Sequence, residues 1–431
     1  MTVLESPAPA PAPARPLSKS RDFLLLWLGA GVSALGSRAT AIGYTLLVYW
    51  STGSATSASL VTFAALLPNL LVQMPAGALV DRWDRRRTML VCNAGRVVAI
   101  GSVAVAVMLG AVWIPHLMVV AFVEATFGIC YGLAERAAVC NVVGPDQLGS
   151  AMAANESRAN AAGIIGQPVG TLLHSLARFA PFTFAVVAHA VSFVTLLFVR
   201  RDLQGPPPGR PASGASATSK APGRRRSLLP EIREGLAFVW GQVYLRRALG
   251  LFAASNILFQ VLGLGLIVMV KESGGSPPTV GLLLVINSVF GLAGAMTSNL
   301  YLSRFGIRRI MMGINVAWAV LMAGIGFAPG IVVLGALYAL INYIAGIGNV
   351  AGMYYLVKTA PDHLRGRAGS VVTLLTSGAN SLGALLAGFL LDSTSTTATM
   401  SVVAVVMTGI AVLALLGFGG RAAAAAERAD S

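Results

Sequence analysis

The feature that most constrains this chain is the recurrence of apolar runs about 20 residues long, the length a helix needs to cross the hydrocarbon of a bilayer. Twelve such runs lie between breaks of Gly, Pro and Arg, near 22–49, 58–80, 89–110, 117–141, 150–173, 181–199, 247–270, 279–301, 309–327, 331–356, 367–391 and 398–418. Hydrocarbon offers no hydrogen-bonding partner, so each run must satisfy its backbone internally, as a helix does. The composition agrees. Of 431 residues, 56% are hydrophobic and 11% charged, against about 25% charged in soluble domains. The sequence therefore predicts an all-α membrane protein of twelve transmembrane helices. The run at 150–173 is the most polar at its start and that at 181–199 the shortest.

The net charge of +15 is a statement about topology and not about nucleic acid. With both termini cytoplasmic, the inside loops receive Arg82, Arg85, Arg86, Arg87, Arg200, Arg201, Arg304, Arg308, Arg309, Lys358, Arg365 and Arg367, while the outside loops receive Arg178 and Lys271. Positive residues mark the cytoplasmic side. Residues 1–20, rich in Pro and Ala, lack the basic start and apolar core of a secretory signal and read as a disordered cytoplasmic tail. Residues 21–200 form a first six-helix bundle and 246–419 a second. Between them, 201–245 is a cytoplasmic linker. Its first part is Pro, Gly, Ala and Ser. Its second part, 228–244, sets Leu229, Ile232, Leu236, Phe238, Val239 and Val243 among polar residues at roughly helical spacing, as an amphipathic surface helix does. Residues 420–431 return as a cytoplasmic tail. Three cysteines, Cys92, Cys130 and Cys140, all lie in apolar runs and offer no extracellular disulfide pair. Lysine is scarce among the basic residues (Lys19, Lys220, Lys271 and Lys358), a bias that fits a GC-rich bacterial genome.

The two halves repeat. GALVDRWDRRR at 77–87 aligns with NLYLSRFGIRR at 299–309, and PDQL at 145–148 aligns with PDHL at 361–364. Both pairs fall in equivalent loops of a six-plus-six plan, so the bundles are expected to be pseudo-symmetric. Ser303 stands where Asp81 does, so only the first copy keeps the acid.

The pattern of Gly77, Asp81, Arg82, Arg85 and Arg86 resembles the loop between helices 2 and 3 of major facilitator superfamily transporters. LLVYWSTGSA closing helix 1, PDQL before helix 5 and EIREGLAFVW before helix 7 complete an order similar to the drug and siderophore exporter branch, the macrolide-efflux and enterobactin-exporter type. That branch commonly carries Asp at the position of Asp84. GIIGQPVG at 163–170 is similar to the antiporter pattern of helix 5, with Gln167 interrupting its Gly-Pro pair. The resemblance implies rocking of two bundles about a central cavity. It also implies that Asp81 docks on the opposite half, at the positive start of helix 11, when the cytoplasmic side closes.

Charges inside hydrocarbon are costly and face a partner or a wet cavity. The chain places Arg38, Arg96, Glu124, Glu135, Arg136, Glu156 and Arg158 at depth, all in the first half. At 1.5 Å per residue, Arg38 lies roughly 3 Å and Glu124 roughly 7 Å outward of the midplane, a spacing that allows a pair. Glu135 with Arg158, and Arg136 with Glu156, are the pairs expected nearer the cytoplasm. The eleven-residue spacings of Glu124 with Glu135, and of Trp27, Arg38 and Tyr49, put each set on one helix face. Taking a carboxylate out of water favours its neutral form, which makes Glu124 the expected proton carrier. The second half offers neutral groups at depth. Asn256, Gln260, Asn342, Asn349 and Asn380, with Trp27, Tyr49 and Tyr131 of the first half, are the expected substrate cavity. Tyr338, Asn342, Gly346, Asn349 and Met353 share one face of helix 10, a pattern that helix packing explains as well as substrate contact does. His189 is read as a packed residue. Gly29, Gly31, Gly163, Gly166, Gly291 and Gly294 are read as sites of close helix contact.

Enzyme signatures are missing from the sequence: no phosphate-binding loop, no metal spacing and no nucleophile triad. The expectation is a proton-coupled exporter of a small amphipathic or hydrophobic compound, monomeric, without cofactor or metal, in a bacterial plasma membrane. Its partners are the solute, protons and the lipid bilayer. A lipid flippase, an importer of a polar solute and a membrane-embedded sensor are the alternatives.

Overall fold

A computed structural model of the chain describes residues 20–204, 240–359 and 362–419, with positions 17 and 237. The two tails and nearly all of the linker with its amphipathic stretch lie outside the described residues. Thirteen helices are seen among those described: α1 (Arg21–Thr52), α2 (Ala55–Leu71), α3 (Gln73–Val80), α4 (Arg85–Met108), α5 (Ile114–Val142), α6 (Leu148–Leu176), α7 (Ala180–Phe198), α8 (Val243–Glu272), α9 (Pro277–Arg304), α10 (Ile307–Ile325), α11 (Ile331–Thr359), α12 (Asp362–Ser393) and α13 (Thr396–Gly419). Ten of them are long and apolar enough to span a membrane, and α2 with α3 forms an eleventh span bent by 52°. Helix α6 is long enough, with 29 residues, but carries Glu156 and Arg158. It completes twelve rods.

Local chemistry sets the breaks. Pro75 has no N–H to donate and its ring crowds the carbonyl four residues earlier, that of Leu71, so the second span breaks at Val72. Gly53 ends α1 in the left-handed conformation (φ 73°) with its N–H on the Tyr49 carbonyl. Ser54 then caps α2, its hydroxyl accepting from the Ser57 N–H at 3.1 Å. Asp84 caps α4 by accepting from the Arg87 N–H at 2.7 Å. The motif arginines staple this turn to the chain entering the linker. The Arg85 guanidinium donates to the carbonyls of Ala137 and Leu203, both at 3.2 Å, and that of Arg86 to Leu197 at 2.9 Å. Arg201 donates to the Val142 carbonyl.

The pseudo-symmetry is visible in which rods touch. In the first half α1 packs on α6 and α7, α4 on α5 and α7, and α2 on α5. In the second half α8 packs on α12 and α13, α10 on α11 and α13, and α9 on α11. Each contact maps onto its counterpart when rod n is matched to rod n + 6. The halves meet through α2 with α12 and α6 with α9, two contacts that the same mapping exchanges. Lipid tails are as apolar as the helices, so close packing rather than water exclusion holds such rods together. Glycine provides it. A Cβ on Gly294 would overlap the Tyr343 backbone, and one on Gly346 would lie 2.8 Å from the Ala295 nitrogen. Gly29, Gly31, Gly166 and Gly291 also face neighbouring helices. Gly163 does not: nothing lies within 4 Å of its added Cβ.

The two ends differ. At the end opposite the arginine-rich loops, one buried apolar core runs through both halves. The first half joins it through far-end residues such as Leu46, Leu47, Val61 and Leu117, and the second through Leu266, Val270 and Val280. At the arginine-rich end each half keeps its own cluster, Phe23, Met89 and Val139 in one and Leu245, Leu356 and Val371 in the other.

Candidate functional site

The far end is tied by polar contacts across the halves. The Asp392 carboxylate, closing α12, sits on the N-terminus of α2 and accepts from the Ser54 hydroxyl, the Ala55 N–H and the Thr56 N–H, each at 2.8 Å. Thr56 Oγ1 donates to the Gly388 carbonyl at 3.2 Å. Lys271, at the end of α8, donates to the Tyr49 carbonyl at 2.9 Å and lies 4.3 Å from the Tyr49 ring centroid and 5.5 Å from that of Trp50. Tyr49 is therefore part of this seal and not of a cavity wall, a correction to its expected role. Its eleven-residue spacing from Arg38 is real, but it places Tyr49 where the halves touch. Asp392 escaped the sequence reading because an acid ending a span looks like an ordinary loop charge.

Inside the first half, four helices bury a polar network. Glu124 of α5 is 6% exposed. Its carboxylate accepts from Thr40 Oγ1 at 2.7 Å and from the Tyr44 hydroxyl at 3.1 Å, both on α1. Arg96 of α4, also 6% exposed, donates through Nε to the Glu124 carbonyl at 3.4 Å and through Nη1 to Ser33 Oγ at 3.2 Å. Ser33 Oγ lies 2.9 Å from His189 Nδ1. With the guanidinium donating to Ser33, the serine hydroxyl is free to donate to a neutral imidazole. Asn93 donates to Ser192 Oγ at 3.0 Å, and the Tyr131 hydroxyl lies 3.2 Å from the same oxygen. Tyr131 is thus inside the bundle, 5% exposed, and is removed from the expected substrate cavity.

The expected pair of Arg38 with Glu124 does not form. Two residues along a helix turn it by about 200°, so Arg38 points nearly opposite Thr40. Arg38 is exposed, and Arg96 is the guanidinium beside Glu124. The Glu135–Arg158 pair does form. Arg158 Nη1 reaches Glu135 Oε1 at 3.0 Å and Nη2 reaches Oε2 at 3.1 Å, with side chains 11% and 7% exposed. Arg158 also donates to the Trp27 carbonyl at 3.3 Å, and the Trp27 indole donates to the Ala154 carbonyl at 3.1 Å. Trp27 therefore ties α1 to α6. The expected Arg136–Glu156 pair is absent among the described residues, and both side chains are exposed. Each residue turns a helix by about 100°, so inward-facing Glu135 carries Arg136 away, and inward-facing Arg158, two residues on, turns Glu156 by about 200° to the far side.

In the hinge loop Asp81 and Arg82 are exposed, and a Cβ on Gly77 would meet nothing within 4 Å. Among the described residues the Asp81 carboxylate holds no hydrogen bond or ion pair. The side chains at the start of α12, its expected dock, lie outside those described. In the second half Asn256 and Asn342 donate back to their own helices, at Phe252 and Tyr338. Gln260 packs beside Gly383, Asn349 is exposed and Asn380 is half-buried. Tyr338 is buried and donates to the Leu262 carbonyl at 2.7 Å, so that position of the α11 face is packing.

Comparison with known proteins is consistent with this geometry. The profile of the Major Facilitator Superfamily matches residues 26–270 and 249–430. The chain is 27% identical over 407 residues to the multidrug efflux pump Tap of Mycolicibacterium fortuitum, covering 92% of this chain and 96% of that one. It is 29% identical to the multidrug efflux pump Tap of Mycobacterium tuberculosis H37Rv, covering 93% and 94%. It is 24% identical to macrolide efflux protein A of Streptococcus pyogenes, covering 86% and 89%. Among solved structures, a bacterial homolog of the human lysosomal transporter Spinster superposes with a TM-score of 0.68 at 12% identity, covering 93% and 97%. The nucleoside transporter NupG gives 0.67 at 15%, covering 93% and 99%. This chain belongs to the Major Facilitator Superfamily and is a multi-pass membrane transporter, not an enzyme.

Proposed function

We propose that the protein exports a small amphipathic or hydrophobic compound, of the drug, antibiotic or siderophore-like kind, across a bacterial plasma membrane in exchange for protons. It acts as a monomer by alternating access. The observation that carries this reading is the buried Glu124 carboxylate, held by two hydroxyls of a helix that also borders the gap between the halves. The excess of arginine at one end marks that end as cytoplasmic, and α1 starts and α13 ends there. The sealed far end, with separate apolar clusters at the arginine-rich end among the described residues, supports an inward-open reading of this conformation.

The coupling follows from hydrogen-bond inventory. An ionised carboxylate only accepts, and Thr40 and Tyr44 both donate to it. A protonated carboxyl must itself donate, so one α1 hydroxyl has to turn from donor to acceptor or leave. Protonation of α5 is thus felt on α1. It also takes from buried Arg96 the nearest negative charge, since Glu135 is engaged by Arg158. Asp81 docks on the start of α12 when the cytoplasmic side closes. The relatives' names, multidrug and macrolide efflux pumps, support outward transport.

The test is drug accumulation in cells stripped of their own exporters, with and without a protonophore. Expression of the protein is expected to lower accumulation, the protonophore to restore it, and Glu124→Gln to abolish the protonophore-sensitive part. Intact protonophore-sensitive efflux in Glu124→Gln would remove Glu124 from the proposal.

A further inference from the structure

Of the ions buried at depth, four are accounted for: Glu135 with Arg158, and Glu124 beside Arg96. Arg136 and Glu156 lie about 12 Å and 9 Å from the middle of their helices, toward the arginine-rich end. Arg38 is different. It lies only about 2 Å from the middle of α1, is exposed, and has no hydrogen-bond or ion-pair partner among the described residues.

Its surroundings fix what it faces. Helix α1 is covered by α7 at Gly29, Gly36 and Gly43, and by α5 at Thr40 and Tyr44. It meets α2 through Thr45 and Thr62 at 3.3 Å, and α6 at Trp27 and Gly31. The helices flanking the Arg38 face, α2 and α6, are those that pack along helices of the other half, α12 and α9. The exposed guanidinium therefore looks into the gap between the halves, where a charge is tolerable, and not into lipid.

The seat of this residue is built twice. The Arg38 stem lies on Gly166 of α6, where a Cβ would overlap it. In the second half, Gln260 of α8 lies on Gly383 of α12, where a Cβ would come within 3.0 Å of the Gln260 Cβ. Arg38 and Gln260 are 222 positions apart, the separation of the two motif loops. Gly166 and Gly383 are 217 apart, within one of the PDQL–PDHL separation. The Gln260 side chain, like that of Arg38, makes no hydrogen bond within the described residues. Pseudo-symmetry thus sets a guanidinium and a primary amide against each other across the gap.

We propose that Arg38 and Gln260 form the headgroup site of the transported compound, and that this compound is an amphipathic organic anion. The guanidinium fork accepts a carboxylate, sulfonate or enolate in a bidentate manner. The amide supplies donors and an acceptor to the neighbouring polar atoms, and the apolar walls take the body. A cationic amphiphile meets a like charge there and is disfavoured. The assignment rests on the exporter reading for its direction of movement, but not for the binding itself.

The test uses fluorescein as the anionic probe and ethidium as the cationic one, in cells lacking their own exporters. Wild type is expected to export fluorescein. Arg38→Gln should lower that rate at least about tenfold, the worth of one charge-assisted bond, without lowering ethidium export. Arg38→Lys is expected to fall between them, and Gln260→Ala to show a smaller loss. Equal fluorescein export by wild type and Arg38→Gln would overturn the proposal. So would export of ethidium alone, or equal loss of both dyes. If wild type exports neither dye, fluorescein anisotropy with purified protein in nanodiscs decides. Binding abolished by Arg38→Gln upholds the anion site and counts against export. Binding that is absent, or insensitive to Arg38, discards the site.

Discussion

Replacing Asp392 with Asn tests the seal at the far end. The carboxylate accepts three hydrogen bonds, all at 2.8 Å, from the first residues of α2. Hydrogen bonds to a charged group contribute about 1.5–3 kcal/mol and neutral ones about 0.5–1.5, and a negative charge at a helix N-terminus adds about 0.3–1 kcal/mol. Asparagine keeps one acceptor oxygen, turns the other into a donor facing a donor, and removes the charge. Asp392 is exposed, so water competes for these groups and the low end applies, about 1–2 kcal/mol in all. That is roughly a 5- to 30-fold shift in the balance between sealed and open far ends. Spin labels at Ala111 and Pro329, exposed far-end positions of the two halves, with the three native cysteines replaced, report the distance by pulsed electron resonance. Asp392→Asn is expected to raise the long-distance population by that factor. Asp22→Asn is the control, because Asp22 accepts two backbone N–H groups within the first half at 3.1 and 3.2 Å. An unchanged distribution in Asp392→Asn, or an equal change in the control, would refute the latch.

Three further outcomes are expected. Glu135→Ala leaves Arg158 buried without its partner, which costs about 3–5 kcal/mol. It lowers the melting temperature in detergent by several degrees, and the double variant Glu135→Gln/Arg158→Gln recovers part of the loss; an unchanged melting point would show the pair to be idle. Gly294→Ala drives a Cβ into the Tyr343 backbone and loses the monodisperse protein in size-exclusion chromatography, whereas Gly77→Ala, with open space around it, melts as wild type does; the reverse order would contradict the packing. Asp81→Asn lowers transport while membrane insertion stays intact; equal loss of both would make Asp81 a folding residue.

Much of this architecture could be read from run length and charge. The twelve rods follow from hydrocarbon thickness, and the weakest of them, α6, is weak because it carries Glu156 and Arg158, the second of which holds Glu135. The Glu135–Arg158 pair was legible because depth and helix face, the two coordinates that sequence supplies, both agreed. Arg38 and Glu124 agreed in depth but not in rotation, and rotation is set by what α1 packs against: glycines toward α7, hydroxyls toward α5. Arg96 and His189 stood out in the sequence as buried polar groups, yet nothing in it links them through Ser33, 156 positions from the histidine. Asp392 pairs with α2 across 336 to 338 positions. A signal existed, since Asp81 ends one helix of the same antiparallel pair and Asp392 ends the other. Asp392 sits on the start of α2, and the proposed dock of Asp81 is the start of α12, at the opposite end of the protein.

The central claim is that the halves rock as two bodies about the space between them. The most direct measurement combines the far-end label pair, Ala111 and Pro329, with a second pair at the arginine-rich end, Trp83 and Phe305, which occupy equivalent loop positions. Releasing the far end with Asp392→Asn is expected to lengthen the first distance and shorten the second in the same molecules. Lengthening of both, or movement of the far-end pair alone, would contradict it.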